Sequence, residues 1–144
     1  MKKIIILLVV AGMILGVLGA NSNLLPSFSK QSTAGDSSAE RAFENRQSDI
    51  QVRGTGVVTL IFPDDNIGSR HQKFILKLLS GQTLLISHNI DLAPRLDSLN
   101  TGDTVEFYGE YEWNAKGGVV HWTHQDPRGK HVGGWLKHNG STYQ

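Results

Sequence analysis

The spacing of hydrophobic residues divides the chain into four stretches. Ile4 to Leu18 carries no polar side chain and is broken only by Gly12 and Gly16. Asn21 to Ser38 holds Pro26, Gly35 and six serines with no apolar period, the composition of a flexible tether. Ser37-x-x-Glu40 then reads as a capping box, and Ala39, Ala42, Phe43 and Ile50 recur near helical spacing. Together they predict one short amphipathic helix from about Ala39 to Ser48. From Gly54 onward the period becomes two, the mark of strands with one buried face.

Five strands follow from that period. Val57 to Phe62 is apolar apart from Thr59 and stops at the turn formers Pro63-Asp64-Asp65-Asn66. Gln72 to Leu79 alternates Phe74, Leu76 and Leu78 against Lys73 and Lys77, which predicts lysines facing solvent. Ser80-Gly81 is expected as a two-residue hairpin connection into Gln82 to His88, where Leu84, Ile86 and His88 share one parity. Asn89 to Asn100 contains Pro94 and predicts a loop with at most one helical turn. Gly102-Asp103 opens the clearest strand, with Val105, Phe107, Tyr111 and Trp113 on one face and Glu106, Tyr108, Glu110 and Glu112 on the other. Gly109 interrupts the apolar face, which predicts a bend or a close backbone approach. Asn114 to Gly118 makes a further hairpin into Val119 to His124.

Five strands with a gap between the third and fourth predict an all-β fold, a small five-stranded OB-like barrel spanning residues 51–144. An open five-stranded sheet or an SH3-like barrel gives much the same pattern. The fold does not by itself select a function.

The N-terminus adds a location. Met1-Lys2-Lys3 followed by the apolar run is the arrangement of an export signal, and Gly19-Ala20 offers small residues for cleavage. A run of this length also meets the lower limit for a membrane-spanning helix, about 17 residues, so residues 1–20 are expected as a signal peptide or a membrane anchor. Residues 21–50 would be a linker ending in the short helix. The domain is then expected to be periplasmic or secreted, or tethered to the cytoplasmic membrane. The sequence contains no cysteine, which excludes a disulfide framework and a lipid-modified cysteine.

Charge narrows the partners. From Gln51 to Gln144 nine basic residues meet nine acidic ones, which excludes a globally basic nucleic-acid binder. After Asp126 there is no acid, while Arg128, Lys130 and Lys137 remain, so the C-terminal tail reads as a local cationic patch.

Candidate chemistry concentrates in His121-Trp122-Thr123-His124-Gln125-Asp126-Pro127-Arg128-Gly129-Lys130-His131, followed by Gly133-Gly134-Trp135. Imidazoles bind metals and move protons, so His71, His88, His121, His124, Asp126 and His131 are candidate ligands for a divalent metal such as zinc. His121 and His124 stand three apart, on opposite faces of a regular strand, and meet at one metal only if the strand bulges. A four-residue hairpin loop pairs Trp113 with Gly118, sets Glu110 opposite His121 as a candidate acid/base couple, and sends Trp122 and His124 toward the core. A five-residue loop exchanges the faces. Asp64-Asp65 with Asn66 offers oxygen ligands or a plain turn, and His88-Asn89-Ile90-Asp91 offers an imidazole and a carboxylate or loop hydrogen bonds. Trp122, Arg128, Lys130 and Trp135 are candidate ligand-binding residues, since tryptophan beside cations can hold a polar or anionic polymer.

Several segments carry a resemblance: His71-Gln72-Lys73-Phe74-Ile75, Gly81 to Leu85 continuing from His88 to Arg95, Tyr108 to Asn114, and His121-Trp122-Thr123-His124 with Asp126-Pro127. Over about Gln51 to Gln144 the chain resembles a bacterial family, domain of unknown function 3465. The resemblance implies a small exported or membrane-tethered protein and assigns no catalytic residue. Three functions are therefore open: a binding module for single-stranded nucleic acid, a glycan or an envelope component; a metal-dependent, nuclease-like hydrolase; and a structural or protein-interaction domain whose histidines respond to pH.

Overall fold

A computed structural model describes residues 38–144. The hydrophobic segment 1–20 and the serine-rich stretch up to residue 37 lie outside the described residues, and with them the expected signal or anchor. Among the described residues no helix is long and apolar enough to cross a membrane.

One helix, α1 (Ser38–Glu44), precedes seven strands: β1 (Ile50–Ile61), β2 (His71–Leu78), β3 (Thr83–Asn89), β4 (Thr104–Glu112), β5 (Val119–His121), β6 (Trp135–His138) and β7 (Ser141–Tyr143). Five of them close on themselves in the order β1-β2-β3-β5-β4, with β4 returning to β1. β3 and β5 run parallel and the remaining pairs antiparallel, which gives an OB-type barrel. Closure leaves no edge among these strands.

The alternation in the sequence maps onto this barrel. Phe74, Leu76 and Leu78 of β2, Leu84 and Ile86 of β3, and Val105, Phe107 and Tyr111 of β4 point inward and form the core with Val52, Val58 and Val120. Gln72 shares the inward face of β2 and is buried, yet both ends of its amide are used: Nε2 donates to the Leu96 carbonyl and Oε1 accepts from Leu96 N–H. That pair pins the connection between β3 and β4, which carries no helix. Of the two lysines of β2, Lys77 is exposed, whereas Lys73 leans onto the β1–β2 turn and bonds Asp65 at 2.7 Å.

Three elements differ from the sequence expectation. β1 begins seven residues before Val57, because its first half pairs with β4 and its second half with β2, and only a long coiled strand can serve both. Its register slips between Val58 and Leu60, a bulge of the kind that curves barrel strands. α1 is shorter than expected, and it belongs to the domain core: Ala39 and Ala42 are fully buried and Phe43 stacks on Trp113 at 6.4 Å. The β2–β3 connection is longer than two residues, since Leu78 N–H bonds the Gln82 carbonyl and leaves Leu79-Ser80-Gly81 as the loop.

The C-terminal stretch, read as a cationic tail, is a hairpin. β6 adds to β4 beyond the end of β5, and β7 pairs with β6. Asn139 and Gly140 both have positive φ, 47° and 77°, the conformation of a type I′ turn. Asn-Gly between alternating residues is a strong local hairpin signal, and Leu136 and His138 are indeed the inward pair.

Candidate functional site

The last barrel hairpin takes the four-residue loop. Glu112 pairs with Val119, Tyr111 with Val120 and Glu110 with His121. Gly109 makes this possible: a Cβ there would run into the His121 carbonyl oxygen, so β5 approaches β4 only because the side chain is missing.

The outward face of β4 therefore lies between two neighbours along its whole length. Reading across the sheet, Thr55, Glu106 and Lys137 form one row; Arg53, Tyr108 and Trp135 form the next; Gln51, Glu110 and His121 form the third. Arg53 bonds Glu106 and lies over the Trp135 ring at 5.1 Å, while the Lys137 ammonium sits 4.5 Å from the same ring. Tyr108 and Trp135 meet at 6.0 Å between ring centres. Trp135 is thus an outward-facing aromatic on a strand, flanked by cations.

Beyond His121 the strand breaks. Trp122 has φ 53°, in the left-handed region that a bulky side chain seldom enters. The turn breaks the alternation, so that Trp122 stays half-buried at the surface while Thr123 is buried instead. Trp122 stacks on His131 at 3.9 Å with rings 10° apart, and meets His124 at 5.2 Å. The expectation that Trp122 turns to the core fails for this reason, while His124 is buried as expected. The return of the chain is equally tight: Gly134 lies against the carbonyl oxygens of Trp122 and Tyr108, where no Cβ fits.

His131 is the partner of Glu110 that sequence spacing did not reveal. Its Nε2 lies 2.7 Å from Glu110 Oε2, and its Nδ1 lies 2.8 Å from the Val132 carbonyl oxygen. A carbonyl only accepts, so the Nδ1 contact needs an N–H, and the short Nε2 contact ties the ring to the Glu110 carboxylate. His121 Nε2 stands 3.8 Å from the same carboxylate oxygen and 3.6 Å from Glu112 Oε1, too far for a direct hydrogen bond. It is buried without a partner, and so is Gln51 Oε1 on the other side of Glu110.

The other candidates are held elsewhere. His88 is fully buried: its Nε2 donates to the Pro94 carbonyl at 3.0 Å, which leaves Nδ1 to accept from the Thr123 hydroxyl at 2.8 Å. Desolvation lowers its pKa to about 4. Asp126 accepts from the backbone N–H groups of Arg128, Lys130 and His131, which holds its carboxyl below the usual range and shapes the turn that presents Arg128 and Lys130 to solvent. His124 Nδ1 donates to the Gln125 carbonyl, and His71 Nδ1 to that of Ser69 at the far end of β2. Among the described residues no group of three or more histidine, aspartate or glutamate side chains is arranged to hold a metal ion. Of the zinc set drawn from sequence, His88 and Asp126 have their ligand atoms in hydrogen bonds. Asp64 and Asp65 pair with Arg95 and Lys73, and Asp91 with Arg70.

A family model described as Protein of unknown function (DUF3465) matches residues 23–144. The chain belongs to this family. The match takes in the whole barrel, α1 and the β6–β7 hairpin, so the family's span includes every element that builds the outer face of β4. No curated protein matches the sequence.

Proposed function

We propose that the domain is a binding module, exported and either released or tethered by its N-terminal segment, that holds a polar ligand on the outer face of β4. The observation that carries this reading is that, of three buried side-chain atoms without partners among the described residues, two, Gln51 Oε1 and His121 Nε2, lie on either side of Glu110; the third is His138 Nδ1. Buried polar atoms are almost always satisfied, and leaving one bare costs about 1 to 3 kcal/mol. Two in one row, beside Trp122 and within a sheet row of Trp135, are what a site preorganised for hydrogen bonds looks like. Arg128 and Lys130 are exposed on the turn that leads into His131.

The usual nucleic-acid face of an OB barrel is a weaker candidate. The outward positions of β2 and β3 pair His71 with Asn89, Lys73 with Ser87, Ile75 with Leu85 and Lys77 with Thr83, and the single ring among them is the imidazole of His71 at the end of the row. An NMR-detected screen of oligosaccharides, oligonucleotides and lipid headgroups tests the reading. Shifts centred on Gln51, Glu110, His121 and Trp135 are expected, and shifts centred on β2–β3, or none, overturn it. The hydrolytic alternative draws on the same Glu110 and His121 and would appear as cleavage of the bound polymer. Export is checked by fractionating cells that carry the full chain, where a purely cytoplasmic protein would refute it.

A further inference from the structure

We infer that the row Gln51, Glu110 and His121 recognises a neutral, hydroxyl-rich ligand, an oligosaccharide; this rests on the binding reading above and names its ligand class. The argument begins with what each unmet group needs. Glu110 Oε2 is held by His131, and Oε1 has no hydrogen bond among the described residues, so the carboxylate calls for a donor. Gln51 Oε1 calls for a donor as well. His121 Nε2 sits between two carboxylates at 3.6 and 3.8 Å, a gap that a group both donating and accepting can bridge. A hydroxyl does both. A phosphate at neutral pH chiefly accepts and would face Glu106, Glu110 and Glu112; an ammonium only donates and would face Arg53 and Lys137.

Charge balance points the same way. The three carboxylates of the face are interleaved with Arg53 and Lys137, and His131 bonds Glu110, so the centre of the rows presents charges of both signs rather than a field of one sign. A sugar hydroxyl also reproduces the hydrogen bonds of a water it displaces, which avoids the loss of affinity that a poorer replacement brings at a polar site. Trp135 and Tyr108, one row away, offer apolar ring surface with polar edges to the carbon-bound faces of a sugar ring.

The test titrates the isotope-labelled full chain with cellohexaose, chitohexaose, oligothymidylate and spermidine, reading backbone amide and indole N–H shifts at low and high salt. The neutral oligosaccharides are expected to shift the signals of Gln51, Glu110, His121, Trp122 and Trp135 with no salt dependence. Glu110→Gln should weaken that binding about tenfold while the remaining spectrum stays in place. Gln51→Ala provides a second variant, expected to weaken binding severalfold, should Glu110→Gln disturb the fold. Unchanged affinity in the folded variants overturns the inference. If oligothymidylate or spermidine shifts these rows and the oligosaccharides do not, the binding reading stands and the ligand class assigned here is wrong. If the oligosaccharides shift only Arg128 and Lys130, the class assigned to this row is likewise wrong. If no probe shifts this face, both readings fall.

Discussion

His88 and His121 lie on neighbouring strands of one barrel and face opposite ways. His88 points inward, is fully buried, and has a partner on each ring nitrogen. His121 points outward, is half-buried, and has a buried Nε2 with none. Hydrogen-bond satisfaction, more than burial, is therefore what distinguishes these two histidines. The inward His88 has both ring nitrogens bonded, whereas the outer face of β4 has left Gln51 and His121 open on both sides of a carboxylate; the buried His138, bonded to Asp103 through Nε2, also keeps an Nδ1 without a partner.

The largest test of that contrast is His88→Leu. The substitution fits the volume but strands the Thr123 hydroxyl and the Pro94 carbonyl, and it is expected to cost about 4 kcal/mol in urea unfolding. A loss below about 1 kcal/mol would show that the inner hydrogen bonds are not structural. Next comes pH. Unfolded, His88 titrates near 6.5, and folded at about 4. Its stabilising contribution is complete above the upper value and is lost as pH falls through the window, because there the unfolded chain binds a proton that the native one refuses. The full loss is about 3 kcal/mol, and His88→Leu should flatten that slope. Asp103 and Asp126, both held below the usual carboxyl range by backbone N–H donors, extend the loss at still lower pH.

The outer face should respond differently. Glu110→Gln keeps an acceptor for His131 Nε2 and is expected to cost about 1 kcal/mol or less of stability. A loss as large as that of His88→Leu would make Glu110 a structural residue and blur the contrast. The smallest effect is expected for Arg53→Ala: its exposed ion pair with Glu106 contributes at most about 1 kcal/mol, and thermal unfolding should barely move. A large shift would mean that the cation over Trp135 holds β6 in place.

Much of the barrel was legible along the chain because the side-chain period of a strand is local. Phe74, Leu76 and Leu78, or Val105, Phe107 and Tyr111, announce a buried face without reference to any partner. The β6–β7 hairpin was legible too, through Asn139-Gly140, although its cations drew the reading toward a tail. The site was legible only in part. Glu110 opposite His121 follows from counting the hairpin loop once its length is known. His131 reaches Glu110 across twenty-one positions and Gln51 across a strand that bonds β4 from the other side, and no spacing encodes either approach.

The sequence by itself therefore determined the elements, their inward faces and the residue types available for chemistry, because hydrophobic period and turn residues act over a few positions. Tertiary structure alone decided which residues meet. Barrel closure brought β1 and β5 to either side of β4, Gly109 and Gly134 let the backbone come close, and the left-handed turn at Trp122 kept its ring outside against His131. Those are contacts between distant parts of the chain, fixed by packing and hydrogen bonding in the closed barrel rather than by any local preference.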